Sequence, residues 1–311
     1  MPLRHASGVP MKPNKIESSA IFAVIYGPSK TGKSTATGAA GASGLFLAQP
    51  GGLLPVSRFL GLSGIEYLSP KGIIETAALI TSNAGKHPTI VVDDLSILTE
   101  VTLATLEKTH TGWDMWRELR SQILFLRDSA RLATSKGTHV IFNCHESPPK
   151  TTSGKYVRGG PKLPGQLPEQ FSAFADVVAR VQYDATAAPW QYVLRTGPDA
   201  EYICGDRLDI FPDPAPMNLS EAMRCAGYDL PRPKGLEWQE SVVEQLSQKL
   251  LEEGLLDWRK ILRPAAEKLR KNYSLPHIRW AMQDSLNRAV LMNARNNLLD
   301  DMFTENSPEG W

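Results

Sequence analysis

Between an apolar run, Ala20-Ile-Phe-Ala-Val-Ile-Tyr26, and a small-residue stretch, Ser34-Thr-Ala-Thr-Gly-Ala-Ala40, the chain carries Gly27-Pro28-Ser29-Lys30-Thr31-Gly32-Lys33-Ser34. This is the pattern Gly-x-x-x-x-Gly-Lys-[Ser/Thr], set between a predicted buried strand and a predicted helix. Glycines at 27 and 32 let the backbone curl so that successive N–H groups face one anion. Lys33 has the reach to meet β- and γ-phosphates, and the Ser34 hydroxyl suits the shell of a Mg²⁺ ion. The helix that follows adds its positive dipole end. Gly27 to Ser34, with Thr35, is therefore the candidate nucleotide-binding segment, and ATP with Mg²⁺ is its expected ligand.

A loop of this kind needs a parallel sheet beneath it. Gly44-Leu-Phe-Leu-Ala48, Thr89-Ile-Val-Val-Asp93 and Thr138-His-Val-Ile-Phe-Asn143 read as further core strands. Helices are expected over about 71–85, opened by the cap chemistry of Ser69-Pro70, and over about 97–110 and 113–135. Shorter strands follow at Asp176–Gln182, Gln191–Arg195 and Glu201–Cys204. The alternation predicts an α/β fold with a mostly parallel sheet covered on both faces.

Composition divides the chain. Residues 1–18 are polar, contain proline and lack an apolar signal core, as a flexible leader would. Residues 19–211 form the α/β core and 212–235 a proline-rich connector. Residues 236–303 turn to Leu, Glu, Lys, Arg and Gln at helical spacing, with breaks expected at Pro264 and Pro276: an all-helical domain. Its Trp258, Ile261, Leu262, Trp280 and Leu286 read as core. Residues 304–311 are an acidic tail, either uncoupled or competing for the basic zones as a DNA mimic. No apolar run approaches the ~20 residues that span a bilayer, so no membrane role is expected. Three cysteines without metal spacing suggest reduced thiols and a cytoplasmic protein.

The net charge of +1 hides an uneven distribution. Ser147 to Pro168 holds Lys150, Lys155, Arg158 and Lys162, with Tyr156 and no acid. That loop can follow a phosphate backbone while Tyr156 stacks on a base, or it is a solvated loop. A second basic zone lies at 259–295. Polyanions are the expected partners.

Asp93 ends an apolar strand and is the candidate second metal-side acid beside Ser34. Asp94 is either the group that orients the attacking water or the N-cap of the next helix. The fourth strand ends in Asn143-Cys144-His145-Glu146. His145 is a candidate γ-phosphate sensor, or a plain hydrogen-bonding residue. Glu146 is an alternative water-orienting acid.

Gly-Pro-Ser-Lys-Thr-Gly-Lys-Ser-Thr, Ile-Val-Val-Asp-Asp, Val-Ile-Phe-Asn-Cys-His-Glu and Gly-Gly-Pro-Lys-Leu-Pro-Gly-Gln-Leu-Pro-Glu, in this order, resemble the short RecA-like ATPases of bacteriophages. That group includes the Sak-type single-strand-annealing recombinases. The resemblance covers about residues 18–230. It implies a RecA-like core, catalytic or phosphate-side roles for Lys33 and His145, and metal-side roles for Ser34 and Asp93. It also implies a homo-oligomer, ring or filament, in the host cytoplasm. Relatives end a late strand with a Lys-x-Arg-like element that reaches a neighbour's phosphate; here Gly205-Asp206-Arg207 keeps the arginine alone, and Arg207 is otherwise a partner of Asp206 or Asp209. Relatives also carry an acid after the second strand, where this chain has Gln49. A glutamine orients water but accepts no proton, so turnover is expected to be slow or to depend on Asp94 or Glu146.

The leading expectation is an ATPase that couples nucleotide state to DNA binding, single-stranded DNA favoured, in phage recombination, annealing or replication. The rivals are a packaging or remodelling motor on duplex DNA, and a nucleotide-binding adaptor whose helical domain binds a protein partner. A small-molecule kinase is less favoured, because the 147–168 loop lacks an arginine-rich lid.

Overall fold

Strands that are apolar on both faces need cover on both faces, and the chain supplies it. The computed structural model describes residues 20–152, 154–185 and 192–303; the expected leader and acidic tail lie outside the described residues. Chain order begins β1 (Phe22–Gly27), α1 (Lys33–Ala36), α2 (Gly38–Ala42), β2 (Leu45–Ala48), α3 (Leu54–Leu60), β3 (Tyr67–Leu68) and α4 (Ile73–Asn83). It continues with β4 (Thr89–Asp93), α5 (Leu95–Leu106), α6 (Gly112–Thr134), β5 (His139–Ser147), β6 (Lys150–Thr152), β7 (Lys155–Val157) and β8 (Gly160–Pro161). Then come α7 (Leu167–Ser172), β9 (Val177–Tyr183), β10 (Tyr192–Arg195), β11 (Gly205–Asp206) and β12 (Ala215–Pro216). Helices α8 (Leu219–Cys225), α9 (Gln239–Glu253), α10 (Trp258–Leu269) and α11 (Leu275–Phe303) complete it.

The main sheet runs β12-β10-β9-β1-β5-β4-β2-β3, with β11 on β9 and β8 on β5. From β9 to β3 the pairing is parallel, so those carboxyl ends share one edge. Side-chain alternation along β1 feeds two cores. Phe22, Val24 and Tyr26 pack with α4, α5 and α6; Ile21, Ala23 and Ile25 pack with α2, α3, α8 and Trp280 of α11. The α/β fold with C-terminal helices is as expected. Among the described residues, no helix is long and apolar enough to cross a membrane.

Local departures have physical causes. The helix after the nucleotide loop is two short segments that meet at Thr37. Helix α4 starts at Ile73 rather than at a Ser69-Pro70 cap, because Thr102 Oγ1 of α5 accepts from the Ile73 N–H at 3.0 Å. The expected strand at 201–204 is replaced by a single bridge, Tyr202 to Gly159, and the strand forms one step later at β11. Pro264 lies inside α10 and does not break it. Pro276 does mark a boundary, as the second residue of α11.

Helices α9, α10 and α11 share a small core of Leu250, Ile261, Leu262, Leu286 and Ala289. A buried ionic cluster ties them to α8. Glu221 accepts from Arg224 and Arg232, each at 3.1 Å, and from Arg288. Arg232 also donates to Glu240 at 2.7 Å and to Asp284. Burial pushes the Asp284 carboxyl up to about 6, against the pull of Arg232. Arg232→Met leaves Glu221 and Asp284 buried without a shared cation. Urea denaturation is expected to show a loss of about 3–5 kcal/mol, whereas Arg263→Met, at the exposed Glu267 pair, is expected to be near neutral.

Candidate functional site

Parallel register gathers polar residues at the carboxyl edge: Gly27 lies opposite His145, and Ala48 opposite Asp93. In open α/β sheets this edge is where ligands bind. Strand β5 lies between β1 and β4, so Asp93 faces the loop across one intervening strand rather than from a direct neighbour of β1.

The loop takes its shape from Gly32, at φ +88°, and Lys30, at φ +65°. Gly27 has a different reason from the expected one. It stays in β1, and a Cβ there would lie 2.8 Å from Val181 Cβ on β9. Its missing side chain admits a strand, not a curl. With α1 only four residues long, the anion-facing N–H groups belong more to the loop than to a long helix. Thr31 Oγ1 donates to the Pro28 carbonyl at 2.9 Å. Lys33 Nζ donates to the carbonyls of Gly27 (3.0 Å) and Pro28 (2.9 Å). Burial lowers its pKa, opposed by Asp94 and Asp93.

Asp93 is raised by burial, opposed by hydrogen bonds from Ser34 and Asn143. Asn143 Nδ2 donates to Asp93 Oδ1 at 3.2 Å and to Thr37 Oγ1 at 2.9 Å. Its own Oδ1 is buried with no partner. The Ser34 hydroxyl and the Asp93 carboxylate thus meet, with the Asn143 amide holding the carboxylate from behind. That donor set fits Mg²⁺, which takes few protein oxygens and keeps waters for the rest. Among the described residues no group of three or more His, Cys, Asp or Glu could cage a metal by itself.

Asp94 is the N-cap of α5 and also meets His145. Its Oδ1 caps α5, accepting from Ser96 N (2.6 Å) and Ile97 N (3.4 Å), and its Oδ2 lies 3.5 Å from His145 Nε2. Burial raises this carboxyl, His145 lowers it and Asp93 raises it. His145 Nδ1 lies 3.3 Å from Ser29 Oγ, and its backbone N–H donates to Ser96 Oγ at 3.0 Å. A cleft of about 320 Å³ opens here, lined by Pro28, Ser29, Ile97, His145, Glu146 and Lys162.

Glu146 lines the cleft, yet its carboxylate is held by Arg180 Nε at 2.8 Å and a second nitrogen at 3.4 Å. That ion pair removes it as a free water-orienting acid. Arg180 itself lies over the Tyr202 ring, 3.4 Å from the centroid. Its signal in the sequence is a lone cation inside the apolar strand Val177-Val-Ala-Arg-Val181. Asn143 had a parallel signal, an amide at the end of an apolar run.

Arg207 is not brought to the loop. It follows β11, whose partners Val177 and Val178 begin β9, at the opposite edge of the sheet. Its guanidinium donates to the carbonyls of Ala173 and Ala175, and its nearest acid is Asp176 at 3.9 Å, not Asp206 or Asp209. Gln49 is also tied down, donating to the Pro70 carbonyl at 2.9 Å.

The expected basic loop is largely the hairpin β6–β7. Lys150, Lys155 and Tyr156 are exposed on it. Arg158 lies 3.9 Å from Glu169, and Lys162 pairs with Glu100 at 2.9 Å. The segment is joined to the site directly: the Lys162 N–H donates to the His145 carbonyl at 2.8 Å.

A family model described as an AAA domain matches residues 19–208. No curated protein sequence matches the chain. Similar solved structures include the RadB recombinase, at 15% identity, covering 58% of this chain and 89% of that one, with a TM-score of 0.37. The flagellar accessory protein FlaH from Methanocaldococcus jannaschii follows at 14% identity, 56% and 76% coverage and 0.34. A KaiC-like protein from Pyrococcus horikoshii OT3 has 14% identity, 56% and 77% coverage and 0.34. TM-scores this low carry no inference about chemistry.

Asn143→Ala removes the amide that orients Asp93 and leaves the strand register intact. Outer-shell changes of this kind weaken metal affinity by about 10- to 100-fold. Titration of Mg²⁺ against a fluorescent ATP analogue is expected to show that loss, with nucleotide affinity in excess Mg²⁺ changed only a few-fold.

Proposed function

The chain belongs to the AAA domain family, and from that premise we propose that it is a Mg²⁺-dependent ATPase whose nucleotide state sets its affinity for single-stranded DNA. The observation that carries the proposal is the position of His145. One residue is within reach of Ser29 in the loop, of Asp94 at the start of α5 and, through its carbonyl, of Lys162 in the basic segment.

The chemistry follows from the charges. Lys33 and the loop N–H groups bind and orient phosphate, Ser34 and Asp93 hold the metal side, and Asn143 fixes the Asp93 carboxylate. Bound Mg²⁺ neutralises charge on the phosphates. Asp94 Oδ2, not engaged in capping, and His145 are the groups placed to orient water and hold its proton. Glu146 is held by Arg180, Glu100 by Lys162 and Gln49 by Pro70, which favours slow turnover. A shift of His145 on nucleotide binding is passed to Lys162 and the hairpin, where Lys150, Lys155 and Tyr156 meet the nucleic acid.

The setting we propose is phage DNA recombination, annealing or replication in the host cytoplasm, as the motif order suggests. The active form is a homo-oligomer, a ring or a filament. Residues 236–303 act as a helical unit that contacts a protein partner.

Lys33→Ala is expected to lower ATP turnover by about 10²–10³-fold and to make DNA affinity the same with and without ATP. His145→Ala is expected to keep ATP affinity within a few-fold and to lose stimulation of turnover by single-stranded DNA. Turnover assays and salt-controlled DNA titrations check both. A Lys33→Ala protein whose DNA affinity still rises with ATP would sink the coupling.

A further inference from the structure

Helix α6 presents Trp113, 86% exposed, and Trp116, 41% exposed, at its amino-terminal end. Large indoles left in solvent at this spacing are costly for a chain with no use for them. They are not isolated. With Arg120 they form one wall of a groove of about 410 Å³, whose opposite wall includes Pro164, Leu167 and Gln170. A groove of this volume has room for a small planar group.

The second wall decides what the groove faces. Residues 164–170 are the direct continuation of the basic segment 147–162, which has four cations and no acid. The two regions meet on consecutive residues of α7. Arg158, at the base of the hairpin, lies 3.9 Å from Glu169, and Arg120, in the groove, donates to Gln170 at 3.2 Å. Asp114, beside Trp113, is paired with Arg117 at 2.9 Å and so offers no uncompensated negative charge.

We infer that the Trp113–Trp116 groove is a base-stacking subsite that continues the single-stranded DNA path from the β6–β7 hairpin. Flat indole faces take any base, a planar arginine sits beside them, and the cations of the hairpin hold the phosphates on the way in. Stacking here explains why a strongly apolar groove opens next to a strongly cationic hairpin. A second copy of the chain would bring no complement to those cations from anything in the groove itself. The inference rests on the single-stranded DNA reading above.

The test is equilibrium binding of a fluorescently labelled oligo(dT) to the full chain in Mg²⁺-ATP, at several salt concentrations, with mass measured in parallel. Trp113→Ala/Trp116→Ala is expected to weaken binding by about 10- to 100-fold with an unchanged salt slope. Trp113→Phe/Trp116→Phe, which keeps flat rings, is expected to stay within a few-fold of wild type. Lys150→Ala/Lys155→Ala is expected to flatten the salt slope instead. ATP turnover without DNA should be unchanged in the two tryptophan variants, since neither indole touches the nucleotide loop. If wild type binds oligo(dT) and the double alanine variant binds equally well, the groove is not a stacking subsite, while the DNA reading stands. If wild type does not bind oligo(dT) at all, the DNA reading falls and the subsite with it. If the alanine variant loses a dimer mass that wild type shows, yet keeps DNA affinity, the occupant is a second copy and the inference is overturned.

Discussion

The parallel pairing of β1, β5 and β4 is the constraint on which the site depends. Each strand is buried over most of its length, and the polar side chains of the site gather where the strands end, at their shared carboxyl edge. Asn143 shows the limit of tolerance. It is fully buried between apolar neighbours, and it is accommodated because Asp93 and Thr37 accept from its amide. Shift the register of β5 by one residue and this amide points into the opposite core.

Two adjacent carboxylates take different work from the same edge. Asp93, the last residue of β4, meets Ser34 and Asn143, while Asp94 turns to the start of α5 and to His145. Burial raises both acids and lowers the Lys33 ammonium; the ammonium and the carboxylates oppose those shifts in one another, while Asp93 raises Asp94 further. His145, which lowers the Asp94 carboxyl, is the neighbour that also touches the basic segment.

The α/β class, the strands β1, β4 and β5, and the loop with Ser34, Asp93 and His145 were legible because each shows a local pattern: an apolar run that stops at a polar tip. What was not legible depended on partners distant in sequence. Thr102 supplies the start of α4 from 29 residues away, and Arg180 claims Glu146 from 34 residues away. Nothing local to Glu146 announces its arginine. Arg207 shows the same limit in reverse. An arginine between Asp206 and Asp209 suggests a pair with one of them, but the antiparallel pairing of β11 on β9 brings it instead to Asp176 and to the carbonyls of Ala173 and Ala175. Pro264 misleads for another reason. Helix α10 is amphipathic enough for its packing through Ile261 and Leu262 to outweigh one lost hydrogen bond.

The C-terminal helices are keyed to the core by two unlike contacts. Trp280 of α11 is buried in the same cluster as β1, and that apolar contact carries the hydrophobic gain. The ionic cluster gains less, since taking three arginines and their carboxylates out of water offsets much of their attraction. Its effect is geometric. Arg232 meets Glu221 of α8, Glu240 of α9 and Asp284 of α11 with one planar guanidinium. A planar fork with three carboxylates on three helices permits one relative placement of those helices. Because α8 follows directly on β12 at the sheet edge, that placement is transmitted to the core, and a load on α9 or α11 acts on the sheet through a rigid joint.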